Sequence, residues 1–270
     1  MFTLVEGLFM KTLIYRIIFL ILAISHSGTT FSESRIKSLE NTEPTRILFI
    51  GNSYLYYNDS LHNHLRRMAE EKFPDRSNLI SYKSSTIGGS RLEHHNIDHL
   101  LKATNIGVKT PFELVILQGG SREPLSKKSR EQFHKQVKIM ISKIKANGGE
   151  AALYMTHAYV KPHKDYDVGM IKDIKSLYLK AGNDNQSLVI PVGLAFEKAY
   201  QYRPDFKLHK DFDGSHPSLL GTYLAANVVF ATLFKTSPIG LKYNYFDTIS
   251  DKDRDFLQKI ATLTVGEFFK

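Results

Sequence analysis

Two short segments of the sequence contain the residue types that serine-based catalysis requires. Ser53 follows the pair Gly51-Asn52, and Asp213 precedes His216 by three residues near the other end of the chain. A serine hydroxyl becomes a nucleophile when an imidazole takes its proton and a carboxylate orients that imidazole. The spacing lets Asp213 reach the ring nitrogen of His216 that faces away from the serine. The pattern therefore suggests a triad with Ser53 as nucleophile, His216 as general base and Asp213 as orienting acid.

A serine nucleophile also needs hydrogen-bond donors for the negative charge that develops on the substrate oxygen. Two further polar segments supply candidates, Gly88-Gly89 and Gln118-Gly119-Gly120-Ser121. We expect the oxyanion hole to consist of the backbone N–H groups of Ser53 and of Gly88 or Gly89, together with the side-chain amide of Gln118. Read singly, each of these segments is also compatible with an ordinary turn, because Gly, Asn and Ser favour turns.

The hydrophobic pattern predicts the elements that position these residues. Short apolar runs predict strands at Arg46–Ile50, Glu113–Leu117, Ala151–Met155 and Leu188–Val192, and Leu79–Ser85, before Gly88-Gly89, is interpreted as a further strand. Apolar residues at helical spacing predict helices that include Arg130–Ala146, Met170–Lys180, Ser218–Phe234 and Asp251–Phe269. Alternation of strands and helices favours a parallel sheet covered on both faces. Ligands bind such sheets beyond the carboxyl ends of the strands, so we expect the polar segments to meet at one rim.

Four blocks of the sequence resemble those of a known superfamily. ILFIGNSYL, TIGGS, VILQGGS and DGSHPSLLGTYLAA, which extend from about Arg46 to Phe234, resemble the ordered blocks of the SGNH (GDSL-like) hydrolases, in a divergent branch common among secreted bacterial proteins. The resemblance implies an α/β fold of three layers, α/β/α, with a five-stranded parallel, flavodoxin-like sheet. It also implies a Ser-Asp-His triad and hydrolysis of acyl esters, often as carbohydrate deacetylation, without a metal or organic cofactor.

The sequence departs from the superfamily pattern in two places. Asn52 stands where the superfamily often has Asp, a position outside the triad. The third block usually supplies an Asn amide to the oxyanion hole, whereas here the segment begins with Gln118 and contains no Asn. We expect Gln118 or a glycine N–H to replace the missing donor. Loss of one such donor costs about 3 kcal/mol, so this departure affects the rate more than the type of reaction.

Composition excludes several classes of site. The chain has 270 residues and no cysteine, which excludes disulfides, thiolate catalysis and cysteine-ligated zinc. The formal net charge is +9, but the basic residues are spread along the chain, so we expect a solvated basic surface and no nucleic-acid partner. The pair His94-His95 invites a metal interpretation, but neighbouring residues of a helix do not face one site, and we expect no metal.

The N-terminal region has the layout of an export signal. Lys11 and Arg16 precede the apolar run 17–24, and small and polar residues follow it. The run is shorter than the roughly 20 apolar residues that a membrane span needs. We therefore predict a signal peptide at residues 1–30, with Met10 as a possible true start, a linker at 31–44 and an SGNH hydrolase-like domain at 45–270. The predicted location is secreted or periplasmic, without stable membrane insertion after cleavage; the alternative is an uncleaved N-terminal anchor.

Together these observations favour a secreted serine esterase. We expect it to hydrolyse acyl esters, O-acetyl esters on carbohydrate above all, through an acyl-enzyme on Ser53. Its expected partner is a small-molecule or polysaccharide ester. Two alternatives stay open at this point: a non-catalytic glycan-binding protein on the same fold, and an O-acyltransferase that uses the same triad.

Overall fold

A computed structural model describes residues 33–270 of the chain. The predicted signal peptide lies outside the described residues. Within residues 33–270, no helix is both long enough and apolar enough to cross a membrane.

The centre of the fold is a five-stranded sheet in which all neighbouring strands are parallel. Its strands are β1 (Arg46–Gly51), β2 (Ser81–Thr86), β3 (Leu114–Gln118), β4 (Glu150–Tyr154) and β5 (Leu188–Ile190). The spatial order is β2-β1-β3-β4-β5, the flavodoxin-like order, in which the chain reverses its direction of winding between β1 and β3. The predicted fold class is thereby confirmed.

Eight α-helices in the described part of the chain cover the two faces of this sheet. They are α1 (Ser53–Tyr56), α2 (Leu61–Lys72), α3 (Ile97–Leu101), α4 (Lys127–Ala146), α5 (Met170–Asn185), α6 (Val192–Tyr202), α7 (Leu219–Phe234) and α8 (Asp251–Phe268). Helices α2, α6, α7 and α8 pack on one face, and α3, α4 and α5 pack on the other.

The alternation of side chains along each strand produces these two cores. In β1, Ile47 and Phe49 belong to the first core, whereas Leu48 and Ile50 belong to the second. Successive residues of a strand point to opposite faces, so a strand buried on both faces is a continuous apolar run. This is the reason that β1, β3, β4 and β5 are recognisable in the sequence as apolar runs, whereas the edge strand β2 is only partly buried and mostly polar.

The structure differs from the predicted elements mainly around β5 and β2. The predicted strand Leu188–Val192 ends at Ile190, and Val192 instead begins helix α6, which the sequence analysis did not predict. A residue without a backbone N–H, Pro191, separates the two elements. Strand β2 begins at Ser81 rather than Leu79, because residues Ser77–Leu79 form a turn of 3₁₀-helix.

The segment 33–44, interpreted as a linker, contains no helix or strand and lies against the domain. Leu39 is buried in the same core as α7 and α8. The backbone N–H groups of Glu40 and Asn41 donate to the carboxylate of Glu150, at 2.8 and 2.7 Å. These contacts attach the segment to the start of β4, at the end of the sheet opposite the candidate site.

Candidate active site

Ser53 lies where β1 ends and the chain turns into helix α1. Asn52 is the N-cap of this helix, and its side-chain oxygen accepts a hydrogen bond from the N–H of Tyr54 at 3.1 Å. Its amide nitrogen donates to the carbonyl of Ser90 at 2.9 Å. The side chain of Asn52 therefore joins the turn after β1 to the turn after β2, and it fixes the backbone on which Ser53 is carried.

The structure brings the three predicted triad residues together. The hydroxyl oxygen of Ser53 lies 2.9 Å from Nε2 of His216, and Nδ1 of His216 lies 2.5 Å from Oδ2 of Asp213. These distances are within hydrogen-bonding range for a nucleophile, its base and the group that orients the base. Ser53 comes from the end of β1, 163 residues before His216.

The turn that carries Asp213 and His216 is stabilised by the same carboxylate that orients the ring. Oδ1 of Asp213 accepts hydrogen bonds from the N–H groups of Ser215 and His216, at 2.8 and 3.0 Å. Partial burial opposes ionisation of Asp213, but the hydrogen bonds from the His216 ring and from these two N–H groups outweigh it and lower the pKa of the carboxyl. Asp213 is therefore a carboxylate that can stabilise an imidazolium on His216.

Backbone donors are present at the positions predicted for the oxyanion hole. Ser53 is the first residue of α1, so its N–H has no intrahelical acceptor. Gly88 and Gly89 form the centre of a turn that the N–H of Ser90 closes on the carbonyl of Ile87, and Gly89 has the positive φ of +68° that glycine tolerates. Among residues 33–270, the N–H groups of Ser53, Gly88 and Gly89 donate to no protein acceptor. The N–H of Ile87 donates to the carbonyl of Gly51, which ties this turn to the end of β1.

Gln118 is the last residue of β3, and its amide is already bonded to the backbone. Its Oε1 accepts from the N–H of Asn52 at 2.9 Å, and its Nε2 donates to the carbonyl of Gly119. The side chain is 1% exposed. An oxyanion contact would therefore use the second amide hydrogen of Gln118. The structure adds a positioning contact that the sequence analysis did not predict, since Gln118 fixes the residue before Ser53.

Two neighbours of Ser53 contact His216 or its turn, although the sequence pattern did not distinguish them. The ring of Tyr57 stacks on the imidazole of His216, with centroids 4.5 Å apart and planes inclined by 19°. Tyr54 is buried, and its hydroxyl lies 2.9 Å from the hydroxyl of Ser215. Tyr56, between them in the sequence, is 40% exposed. These three tyrosines therefore differ in environment: Tyr54 lies in the core, Tyr57 packs on the imidazole of His216, and Tyr56 lies at the surface.

His157, three residues beyond the end of β4, contacts the turn Asp213–His216, named here the catalytic turn because it carries two of the proposed triad residues. It is 1% exposed, and its Nε2 lies 2.8 Å from the carbonyl oxygen of Ser215. Its ring stacks between Tyr54 and Phe196, with centroid distances of 4.2 and 4.3 Å. Burial lowers the pKa of His157 well below its ordinary value, so the ring is neutral and donates through Nε2. The position of His157 after a strand was the only sequence signal for this role.

The adjacent histidines His94 and His95 have different partners. Nδ1 of His94 accepts from the N–H of Arg91, whereas Nε2 of His95 lies 3.0 Å from the hydroxyl of Ser90. Within the described residues, no group of three His, Asp or Glu side chains could bind a metal ion. His95 contacts Ser90, whose carbonyl Asn52 binds, and therefore belongs to the support of the turn after β2.

Comparison with known proteins yields matches of fold. No family model matches the chain, and no curated protein matches it in sequence. A DUF4886 family protein from Bacteroides uniformis is 18% identical with a TM-score of 0.63, over 83% of this chain and 95% of that one. A candidate SGNH hydrolase from Slackia heliotrinireducens is 24% identical with a TM-score of 0.54, over 71% of this chain and 100% of that one. The acetyl xylan esterase AlAXEase is 19% identical with a TM-score of 0.52, over 68% and 98% of the two chains.

The similar structures agree with the topology and with the blocks recognised in the sequence. The sheet order, the positions of Ser53 and His216 beyond its strands and these structural matches point to one architecture. The chain therefore has the fold of the SGNH hydrolases.

Proposed function

We propose that this protein is a serine ester hydrolase. The observation that carries the proposal is the continuous hydrogen-bonded chain from Asp213 through His216 to Ser53 at the carboxyl edge of the sheet. Side chains from distant parts of a sequence rarely adopt such an arrangement for stability alone, and the order acid, base, nucleophile is that of a catalytic triad.

In the acylation step, Ser53 attacks the carbonyl carbon of the ester while Nε2 of His216 takes the hydroxyl proton. Asp213 stabilises the imidazolium that results. The negative charge on the former carbonyl oxygen is stabilised by the N–H groups of Ser53 and of Gly88 or Gly89, with the second amide hydrogen of Gln118 as a further donor. When the intermediate collapses, the imidazolium donates its proton to the leaving alcohol, and the acyl group stays on Ser53.

Deacylation repeats the same steps with water. His216 takes a proton from the water as it attacks the acyl-enzyme, and then returns that proton to the oxygen of Ser53 as the ester bond to the serine breaks. The products are a carboxylic acid and the free enzyme. These steps use the side chains and backbone groups of the chain itself.

We further propose that the ester is an O-acetyl group on a carbohydrate and that the protein acts outside the cytoplasm. Structures of the same fold include the acetyl xylan esterase AlAXEase and an acetylxylan esterase from Geobacillus stearothermophilus. The predicted signal peptide supports a substrate outside the cell. The exposed ring of Tyr56 and the ring of Tyr57 beside His216 offer aromatic surface next to the nucleophile.

The test is labelling and turnover with a matched serine control. The purified protein is treated with a fluorophosphonate probe and assayed on 4-nitrophenyl acetate and on acetylated glycans. Ser53→Ala should abolish labelling and leave only residual hydrolysis, whereas Ser84→Ala, at an exposed position on β2, should retain both. A wild-type protein that is neither labelled nor active would refute the hydrolase proposal. Transfer of acetyl to a sugar hydroxyl in place of water would instead identify an acyltransferase.

A further inference from the structure

A cleft of about 690 Å³ lies beside the catalytic turn without including any triad residue. Its walls are the segment 158–168 that follows β4, residues Glu197 and Tyr200 of α6, and the segment 204–211 that leads to Asp213. The cleft is large enough for one or two sugar rings, being in the size range of small-molecule sites.

Both loop walls of the cleft are hydrogen-bonded to the catalytic turn. The N–H of Lys210 donates to the carbonyl of His216 at 2.8 Å, and the N–H of Val160 donates to the carbonyl of Gly214 at 2.9 Å. A ligand in the cleft would therefore contact the same loops that fix His216. The cleft is continuous with the catalytic turn along the chain, since its last lining residue, Asp211, lies two positions before Asp213.

The lining combines aromatic rings with groups that exchange hydrogen bonds. Tyr166, Tyr200 and Phe206 line the cleft, and Tyr166 is 38% exposed, with Nζ of Lys161 at 5.9 Å from its ring centroid. Aromatic rings combined with a few polar groups recognise ligands that have both apolar and hydrogen-bonding surface. A pyranose ring has this character, because its C–H faces are apolar and its edge carries hydroxyl groups.

Glu197 lines this cleft with a carboxyl group that can accept hydrogen bonds from a ligand. The side chain is half-buried, and its carboxyl group makes no hydrogen bond or ion pair with other described residues. Burial raises the pKa of Glu197. Another acidic residue of the wall, Asp211, is instead paired with Lys207 at 2.9 Å. A partly desolvated carboxyl group without a partner is unfavourable, and hydroxyl donors of a ligand would relieve that cost.

We propose that this cleft is a sugar-binding subsite that receives a ring of the glycan at a distance from the ester. The inference rests on the proposed function, because it concerns the substrate of that hydrolase. It defines this substrate as an ester on an oligosaccharide or polysaccharide rather than on a single sugar. Glu197 accepts hydrogen bonds from ring hydroxyls, and Tyr166 lies against the ring. Both residues determine specificity and neither takes part in the bond-breaking steps.

The kinetic test compares a long and a short substrate. We expect the ratio of kcat/KM for acetylated xylotetraose to kcat/KM for 4-nitrophenyl acetate to fall about tenfold or more in two variants. Glu197→Gln weakens the hydrogen bonds from the ring hydroxyls, and Tyr166→Ala removes the aromatic contact with the sugar ring. The matched controls are Glu131→Gln and Tyr202→Ala, whose side chains are exposed and outside the cleft. These controls should leave the ratio unchanged.

The binding test does not depend on catalysis. Xylotetraose and chitotetraose without esters are titrated into isotopically labelled Ser53→Ala protein, and chemical-shift changes are expected at residues 158–168 and 204–211. An unchanged kinetic ratio together with no binding of either tetrasaccharide would overturn the subsite while leaving the hydrolase proposal intact. If a tetrasaccharide binds at the cleft but the wild-type protein hydrolyses no ester, the subsite is supported and the hydrolase proposal is refuted.

Discussion

At the scale of single residues, the backbone around Ser53 is fixed by side chains from other strands. Oε1 of Gln118 accepts a hydrogen bond from the N–H of Asn52, and the side-chain amide of Asn52 donates one to the carbonyl of Ser90. Gly51 is needed for the first of these contacts, because a Cβ there would lie 2.5 Å from Oε1 of Gln118. Ser53, the proposed nucleophile, is therefore held by a pre-organised turn, which is the condition for stabilising a transition state without reorganisation.

The prediction for Gln118 concerns its second amide hydrogen. Gln118→Ala should lower kcat by roughly 10² to 10³ with little change in KM, because an oxyanion donor acts mainly in the transition state. The same change leaves the buried N–H of Asn52 without its acceptor, which should cost about 1–3 kcal/mol of unfolding free energy. Steady-state kinetics and urea denaturation separate the two effects. A variant that is less stable but retains a near-normal kcat would make Gln118 purely a positioning residue.

The contact between Tyr54 and Ser215 can be tested by a double-mutant cycle. Tyr54→Phe and Ser215→Ala each remove one hydroxyl of the same 2.9 Å contact. Each variant should lower kcat by about three- to tenfold, in line with one net hydrogen bond, without raising KM. If the contact positions the His216 turn, the double variant should be no slower than the slower single variant. Additive losses would mean that the two hydroxyls act independently.

At the scale of elements, the candidate active site is made from the loops that follow parallel strands. The turns after β1 and β2, the end of β3 and the loop after β4 supply or support the groups discussed above. The Asp213–His216 turn joins them from the segment between α6 and α7. The crossover between β1 and β3 opens the rim where these loops meet. The rigid sheet thereby positions the loops, while the loops carry the chemistry.

Gly214 is the point at which the catalytic turn packs most closely on the loop after β4. Its φ is +63°, and a Cβ there would lie 2.1 Å from the carbonyl oxygen of Val160. Gly214→Ala should therefore displace the turn, lower kcat/KM by at least about tenfold and reduce the melting temperature. Gly148→Ala is the matched control, because its φ is +79° but nothing lies within 4 Å of its Cβ. It should cost about 1 kcal/mol or less and leave kcat/KM unchanged; equal effects of the two substitutions would contradict the steric argument.

At the scale of the whole molecule, two apolar cores enclose a small number of titratable side chains. Glu123, in the loop after β3, is 3% exposed, and one of its carboxyl oxygens has no hydrogen-bond partner among the described residues. Burial raises the pKa of Glu123 to about 8, against smaller opposing effects of the Gly120 N–H and Arg91. We therefore expect the carboxyl group of Glu123, next to Gly119, to be mainly protonated at pH 7 in the folded protein.

This buried acid should make stability fall as the pH rises. Below about pH 4.5 the carboxyl group of Glu123 is protonated in both the folded and the unfolded state. Between pH 4.5 and about pH 8 only the unfolded chain releases the proton, so unfolding becomes more favourable as the pH rises. The wild type should therefore lose stability relative to Glu123→Gln, which stays neutral, by on the order of 4 kcal/mol of unfolding free energy between pH 4.5 and pH 8.5. Urea denaturation across this range measures the difference, with the exposed Glu131→Gln as control. A constant difference between Glu123→Gln and wild type would show that Glu123 is ionised in the folded protein.

The fold class predicted from the sequence is confirmed, and the three residues proposed as a triad lie within hydrogen-bonding distance of one another. Strands β1, β3, β4 and β5 are apolar runs because they are buried on two faces, whereas the partly exposed edge strand β2 (Ser81–Thr86) is mostly polar. Glycine and polar residues mark where several strands end, so both signals are local. The helix α6 escaped prediction because its start follows β5 after a single proline, and an apolar run such as Leu188–Val192 does not define where strand ends and helix begins.

The tertiary structure alone decided which side chains meet. Gln118 contacts Asn52 across 66 residues of sequence, His157 contacts Ser215 across 58, and Tyr57 stacks on the ring of His216. Residue type and spacing specify which elements form, but contacts between loops depend on the order of the strands and on the path of each loop. Through those contacts Gln118 and His157 support the turns that carry Ser53 and His216, because Oε1 of Gln118 and Nε2 of His157 are bonded to the backbone of these turns. The second amide hydrogen of Gln118 is the one left for the proposed oxyanion contact.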